Sequence, residues 1–173
     1  MKKKVLVMDT SMLCVWLKVN GLETCGPDSD RWDYDRVKKV IDGEMENHTL
    51  FVLPVASIIE TGNHIAHANG DKYTMVKALC DIIVKTAEET SPWAAFTEQS
   101  RLWTKDGLKN LANRWQKTGV TGQSIGDASI VDVAEFYSQL PNHEVEILTG
   151  DEGLKAYQPS KPATARLIPR RKL

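Results

Sequence analysis

The stretch KVLVMDTS, Lys4 to Ser11, decides how the rest of the chain is read. Four apolar residues, Val5 to Met8, form an unbroken run of the length expected of a strand buried on both faces, and Asp9 breaks it. From Met12 to Lys18 the sequence continues as an apolar-rich helix start, so the unit is strand, turn and helix with a carboxylate at the turn. Outward from this unit the alternation repeats. Residues 20–35 are polar and rich in Gly, Pro and Asp, a loop, and Arg36 to Glu46 reads as a helix with Val37, Val40, Ile41 and Met45 on one face. Thr49 to Leu53 is a second strand. Pro54 ends it and suits the start of a helix carrying Ala56, Ile58, Ile59 and Glu60. Asp71 to Glu89 has helical spacing at Met75, Leu79, Ile82, Ile83 and Thr86, Pro92 closes it, and a further strand is expected near Ala94 to Phe96. Thr104 to Lys117 is helical, with Leu108, Leu111 and Trp115 together. Ser124 caps a helix from Ile125 to Gln139, with Asp127 three residues on as a capping-box variant. Val145 to Leu148 is a strand, Glu152 to Tyr157 a short helix, and a last strand is expected at 166–168. Strands alternating with helices predict an α/β fold, a mainly parallel sheet covered on both faces through right-handed crossovers.

The 173 residues are expected to form a single domain, 1–173, long enough to bury roughly 70% of the unfolded chain's surface in one core. With 42% hydrophobic and 26% charged residues, disordered and fibrous classes are excluded. Met1 to Lys4 is followed by too short an apolar run for a signal peptide or a spanning helix, so no membrane association is expected. Cys14, Cys25 and Cys80 are odd in number and lack C-x-x-C spacing. They indicate neither a disulfide framework nor structural zinc, and a reducing, cytoplasmic location is expected. The balance of 22 basic against 23 acidic residues argues against a chain held on nucleic acid by bulk positive charge. The charge is unevenly placed, however. A basic C-terminal segment, 159–173, holds Lys161, Arg166, Arg170, Arg171 and Lys172 and no acid, which leaves 17 basic against 23 acidic residues elsewhere. Carboxylates gathered around a cation would produce such an acidic body, and a plain solvated surface accounts for the counts equally well.

Three strands end in a carboxylate or lead to one: the first at Asp9, the second through Pro54 to Glu60, and the last at Asp151. In open α/β sheets ligands bind beyond the carboxyl ends of the strands, where such acids converge, and Asp127 in the first turn of its helix is expected near the same edge. Four clustered carboxylates repel one another unless cations neutralise them, and one or two hard ions such as Mg²⁺ or Mn²⁺ do so. Singly, each acid has a structural explanation. Asp9 and Asp151 suit helix N-caps, Asp127 a capping box, and Glu60 an exposed helix position. Four strand-edge acids in one short chain are harder to explain as four separate caps.

Asp9-Thr10-Ser11 after a hydrophobic strand, Pro54 leading to Ile59-Glu60, Gly126-Asp127-Ala128-Ser129-Ile130, and Leu148-Thr149-Gly150-Asp151 stand in the order of the acidic motifs of PIN-domain nucleases. The chain resembles that family from about Val5 to about Ile168. The resemblance implies a Rossmann-like, three-layer α/β/α sandwich and one or two Mg²⁺ or Mn²⁺ ions held by Asp9, Glu60, Asp127 and Asp151 as the catalytic residues. It also implies hydrolysis of phosphodiester bonds, most often in RNA, the expected partner. Many small members are the toxins of bacterial toxin-antitoxin pairs, which would add an antitoxin-like inhibitor protein. The chain departs from those compact toxins in the 67 positions that separate Glu60 from Asp127, so neither substrate nor partner transfers directly. Apolar surface on that segment, 61–121, is either core or a homodimer interface. Two other classes compete. An aspartyl-nucleophile phosphatase would want a second Asp at position 11, where Ser11 stands, and a catalytically silent PIN-like scaffold would usually lack one of the acids.

Around these acids, the hydroxyls of Ser11 and Thr149 suit the orientation of a ligand carboxylate or a metal-bound water, and equally suit ordinary turns. Asp132 lies five residues after Asp127, about 140° further round the helix, and is set aside. Glu60, His64 and His67 share a helix face that would suit zinc; alternatively Asn63 and His64 line the groove and touch phosphate, or the histidines simply face solvent. Arg101, Lys105 and Lys109 recur every four residues opposite a stripe that includes Leu108 and Trp115. That is a basic face suited to a phosphate backbone, with Trp103 for stacking, or a solvated face. Arg166, Arg170 and Arg171 are candidates for a positive rim, and Trp93, Trp103 and Trp115 are expected in the core.

Overall fold

The computed structural model describes residues 2–159. The opening stretch forms β1, Lys3–Met8, the central strand of a three-stranded parallel sheet in the order β2-β1-β3, with β2 at Leu50–Val52 and β3 at His143–Leu148. Leu6 pairs with Phe51 on one side and Glu146 on the other. Its central place explains the unbroken apolar run, because successive side chains point to opposite faces and both are covered. Leu6 and Met8 pack with Met12, Leu13, Val37, Ile41 and Phe51; Val5 and Val7 pack with Val52, Ile130, Ala134, Tyr137 and Ile147. The fold is therefore α/β with a small open parallel sheet.

Seven α-helices are described: α1 Thr10–Trp16, α2 Tyr34–Glu46, α3 Val55–His67, α4 Lys72–Ala87, α5 Lys105–Thr118, α6 Ile125–Ser138 and α7 Glu152–Lys155. Their starts follow the capping residues in the sequence. Asp9, Asp33, Asp71, Thr104, Ser124 and Asp151 each accept a backbone N–H of the first turn, satisfying donors that the helix itself leaves open. The starts of α1, α6 and α7 therefore sit directly at the carboxyl ends of β1 and β3 or beside them. Among the described residues no helix is long and apolar enough to cross a membrane.

Three sequence expectations are corrected. No strand forms at Ala94 to Phe96; Trp93 makes a single bridge to Phe51, with Phe51 N donating to Pro92 O at 2.8 Å and Ala94 N donating to Phe51 O at 2.8 Å. Pro92 has no N–H to extend the ladder, and after Ala95 the chain turns into a 3-10 helix, Phe96–Trp103. Arg101 lies on that segment. Thr104 separates it from α5, so Arg101 does not share the helical face of Lys105 and Lys109. Trp93 is core, but Trp103 and Trp115 are 43% and 39% exposed. The Trp115 indole donates to Gln123 O at 2.9 Å and stands against Gly119, so it clamps the 118–123 loop rather than filling a core. The strand expected at 166–168 and the basic residues Lys161, Arg166, Arg170, Arg171 and Lys172 lie outside the described residues.

Candidate functional site

Asp9 follows the last residue of β1, and Asp151 follows β3 by three positions; Glu60 is in the second turn of α3 and Asp127 in the first turn of α6. All four line one pocket of about 270 Å³, together with Thr10, Ser11, Cys25 and His64, and neither lysine nor arginine is among its walls.

Asp9 is the most organised of the four. It is 4% exposed, and its Oδ1 accepts Thr10 N at 2.7 Å while its Oδ2 accepts Ser11 Oγ at 2.6 Å and Thr149 Oγ1 at 2.7 Å. The same two hydroxyls accept backbone N–H groups, Ser11 Oγ from Gly150 at 3.2 Å and Thr149 Oγ1 from Asp151 at 3.0 Å. Each hydroxyl thus has its direction fixed: it accepts a backbone N–H of the turn after β3 and donates its own O–H to Asp9. Burial pushes the Asp9 carboxyl above its ordinary range; these hydrogen bonds pull it back, and the negative charge of Asp127 pushes it further up.

Glu60 is held by Thr10, whose Oγ1 donates to its Oε2 at 2.7 Å. Its other oxygen lies over Gly126, where an added Cβ would stand 1.9 Å from Oε1. One carboxylate therefore bridges the start of α1 and the first turn of α6. Asp127 gives only its backbone to capping, its N–H donating to Ser124 Oγ at 2.9 Å; its carboxylate makes no hydrogen bond or ion pair among the described residues. Asp151 uses Oδ1 to cap α7 through Leu154 N at 2.8 Å. Cations in the neighbourhood are committed elsewhere: Lys155 and Arg36, both felt electrostatically at Cys25 on the pocket wall, pair with Asp30, each at 2.7 Å. They hold the Asp30 carboxyl down at about 2.

Four carboxylates on one pocket wall, with no lysine or arginine among its residues, fit a hard divalent ion by their chemistry. As the side chains stand, no three His, Cys, Asp or Glu groups among the described residues are gathered closely enough to hold an ion. The acids line a pocket without closing into a cage, and an ion that keeps several of its waters, as Mg²⁺ does, would suit such a lining. The zinc set Glu60, His64 and His67 is not assembled. His64 lines the pocket, but the Nδ1 of exposed His67 faces Asn63 O at 2.8 Å, and Asn63 is not part of the wall. Arg101 lines a separate cleft with Arg114 and Asp132, and Lys105 and Lys109 line neither. Asp132 pairs with Arg114 Nε at 2.8 Å, a structural role.

The sequence reading quotes Thr10, Gly126 and Gly150 within its motifs and Cys25 among the free cysteines, but assigns none of them a part in the site. Gly126 and Gly150 each precede an acid, and each has a neighbour where a Cβ would be, Glu60 Oε1 for Gly126 and Cys25 Sγ at 2.5 Å for Gly150. The repeated Gly-Asp dipeptide was the available signal, since an isolated glycine at an element's edge marks close approach. No protein-family model, curated protein or solved structure matches the chain.

Proposed function

We propose that the protein is a divalent-metal-dependent nuclease acting on phosphodiester bonds, with RNA as the substrate that its PIN-like motifs imply. The observation that carries this reading is the convergence of Asp9, Glu60, Asp127 and Asp151 on one pocket without a lysine or arginine in its wall, one of them buried at a position where its charge is disfavoured. Asp9, Glu60, Asp127 and Asp151 would hold one or two Mg²⁺ or Mn²⁺ ions, which when bound supply charge neutralisation and Lewis acidity at the phosphodiester. Ser11 and Thr149 fix the orientation of Asp9, and Thr10 fixes that of Glu60. His64, exposed at the wall, is placed to donate to a substrate phosphate oxygen. The fuller Rossmann-like, three-layer arrangement belongs with this proposal, and the division of the β1 side chains between two apolar clusters supports it. A catalytically silent scaffold is the second reading, favoured by the open spacing of the acids.

The test is incubation with Mn²⁺ or Mg²⁺ and single- and double-stranded RNA and DNA, beside Asp9→Asn, with calorimetry of ion binding. Cleavage that Asp9→Asn abolishes supports the nuclease. Ion binding sensitive to Asp9 without cleavage of any substrate favours the scaffold, and cleavage by Asp9→Asn at the wild-type rate overturns the assignment of the site.

A further inference from the structure

Asp151 stands at the start of α7, a helix of four residues, and a single helical turn does not persist without support from outside it. The support comes from a loop distant in sequence. Cys25 N donates to Trp32 O at 2.9 Å and Trp32 N to Cys25 O at 2.8 Å, which closes residues 25–32 into one loop. Inside it, Asp30 N donates to Pro27 O at 2.9 Å, and the Asp30 carbonyl lies over Gly26, where an added Cβ would meet it at 2.5 Å. This loop touches the turn that carries Asp151 on both sides. Before Asp151, Cys25 Sγ fills the space over Gly150, 2.5 Å from where a Cβ would stand. After it, Lys155 Nζ donates to Asp30 Oδ2 at 2.7 Å, while Arg36 pairs with Asp30 Oδ1 at 2.7 Å and so fixes the acceptor.

We infer that Asp30 and Lys155 are positioning residues for Asp151: their ion pair keeps α7 wound, and with it the orientation in which Asp151 presents its carboxylate to the ion of the acid-lined pocket. The inference rests on the ion site proposed above and adds to it two residues that are not in the pocket wall. The chain of contacts is short. Lys155 N donates to Asp151 O at 3.0 Å and Leu154 N to Asp151 Oδ1 at 2.8 Å, so unwinding the turn at Lys155 frees the carboxylate to rotate. The side chains of the pair are 34% and 39% exposed, and exposed pairs add little to overall stability, so what this one contributes is geometry. Charge alone predicts the opposite effect. Lys155 is a cation one turn from Asp151, and removing it should strengthen the binding of a divalent cation, whereas removing a brace should weaken it.

Mn²⁺ binding is measured by calorimetry for the full-length wild type, Lys155→Gln, Lys155→Arg, Asp151→Asn, and Lys155→Gln combined with Asp30→Asn or with Asp151→Asn. Thermal melting checks that each is folded, and hydrogen exchange of the Leu154 amide follows the first turn of α7 in the ion-free protein. Loss of a group that orients a metal ligand directly costs about 10- to 100-fold in affinity, and a brace acting through one helical turn is expected to cost roughly three- to tenfold. Lys155→Gln should lose that much and exchange its Leu154 amide faster, while Lys155→Arg, which keeps the pair, stays within about twofold of wild type. Adding Asp30→Asn to Lys155→Gln, or Lys155→Gln to Asp151→Asn, should weaken binding no further, because each pair acts through the one carboxylate. Affinity unchanged or higher in Lys155→Gln, with Asp151→Asn weakened, overturns the inference and leaves the ion site standing. Faster Leu154 exchange without loss of affinity also overturns it, as does an equal loss from Lys155→Gln in the wild-type and Asp151→Asn backgrounds. A wild type that binds no Mn²⁺, or Asp151→Asn binding it as wild type does, overturns the ion site itself and the inference with it.

Discussion

Replacing Gly126 by alanine should disable the site while leaving the fold intact, and the structure supplies the magnitude. The new Cβ would lie 1.9 Å from Glu60 Oε1 and 2.8 Å from its Cδ, where ordinary contact begins at 3.4 Å. The carboxylate is the end of a flexible, half-buried side chain, so it gives way rather than the helix. Its retreat breaks the Thr10 Oγ1 bond of 2.7 Å, a bond to a charged group worth about 1.5–3 kcal/mol when fully shielded. Alanine returns up to about 1 kcal/mol of helix propensity. The net is a loss of about 0.5–2 kcal/mol, which for a chain of this size lowers the melting temperature by about 1–8 °C. Gly62→Ala, on α3 and two residues from Glu60, meets nothing within 4 Å and should raise it by about 2–4 °C. Mn²⁺ separates the variants further. An ion present at 100 times its dissociation constant stabilises by about 2.7 kcal/mol, and a tenfold loss of affinity removes about half of that. Melting curves across a Mn²⁺ titration, with cleavage measured alongside, provide the assay. A Gly126→Ala protein with the same Mn²⁺ response and cleavage as Gly62→Ala would show that Glu60 has no part in holding the ion, and the four-acid site would be wrong.

Two further outcomes follow from the bonds around Asp9. Its folded-state pKa is raised above the ordinary carboxylate value near ~3.9, so ionised Asp9 destabilises the ion-free fold at neutral pH, and the penalty is relieved as pH falls through the folded pKa. Asn at this position would set an amide NH2 against donors, so the sign is read from the slope: in urea midpoints, ion-free wild type should gain on Asp9→Asn as pH falls from 7 toward 4, and a wild type that loses ground in acid contradicts it. Thr149→Val removes both the acceptor of the Asp151 N–H and one donor to Asp9 and should cost about 1–3 kcal/mol in urea unfolding. Paired with Ser11→Ala it should be non-additive, because both hydroxyls act on the one Oδ2; simple additivity would mean they do not act through Asp9.

What the sequence made legible was whatever is local. KVLVM announces a strand buried on both faces because burial removes the polar alternation, and Asp9, Thr104, Ser124 and Asp151 announce helix starts because capping is decided within three residues. The same locality brought out Asp9, Asp127 and Asp151 at the ends of elements and Glu60 through the Pro54 that opens its helix. What it could not carry was contact across the chain. Thr10 meets Glu60 from 50 positions away, and Glu60 needs the missing Cβ of Gly126. The expected basic face is absent for a local reason, since the Thr104 cap separates Arg101 from the helix that carries Lys105 and Lys109. Trp115 looked like core because its spacing matches Leu108 and Leu111, yet its N–H is engaged by a loop carbonyl, which keeps the ring at the surface.

Capping and ion holding are often treated as rival explanations of an aspartate at a helix start, but the two need not compete for the same atoms. Asp127 caps nothing with its carboxylate, and Asp151 caps with Oδ1 alone. Asp9 engages both oxygens, and it is the test case. A cap needs only an acceptor, and Asn or Ser serves there as well as Asp without carrying charge. At an exposed helix start the choice would be indifferent. At position 9 the side chain is buried, faces the charge of Asp127, and has its own ionisation disfavoured, so the charge is a cost to the ion-free protein that capping does not require. Capping alone therefore does not account for a carboxylate at this position. The hydroxyls of Ser11 and Thr149, both aimed at one oxygen, keep that carboxylate in a fixed orientation at the edge of the pocket, which is the preparation a cation site requires and a helix cap does not.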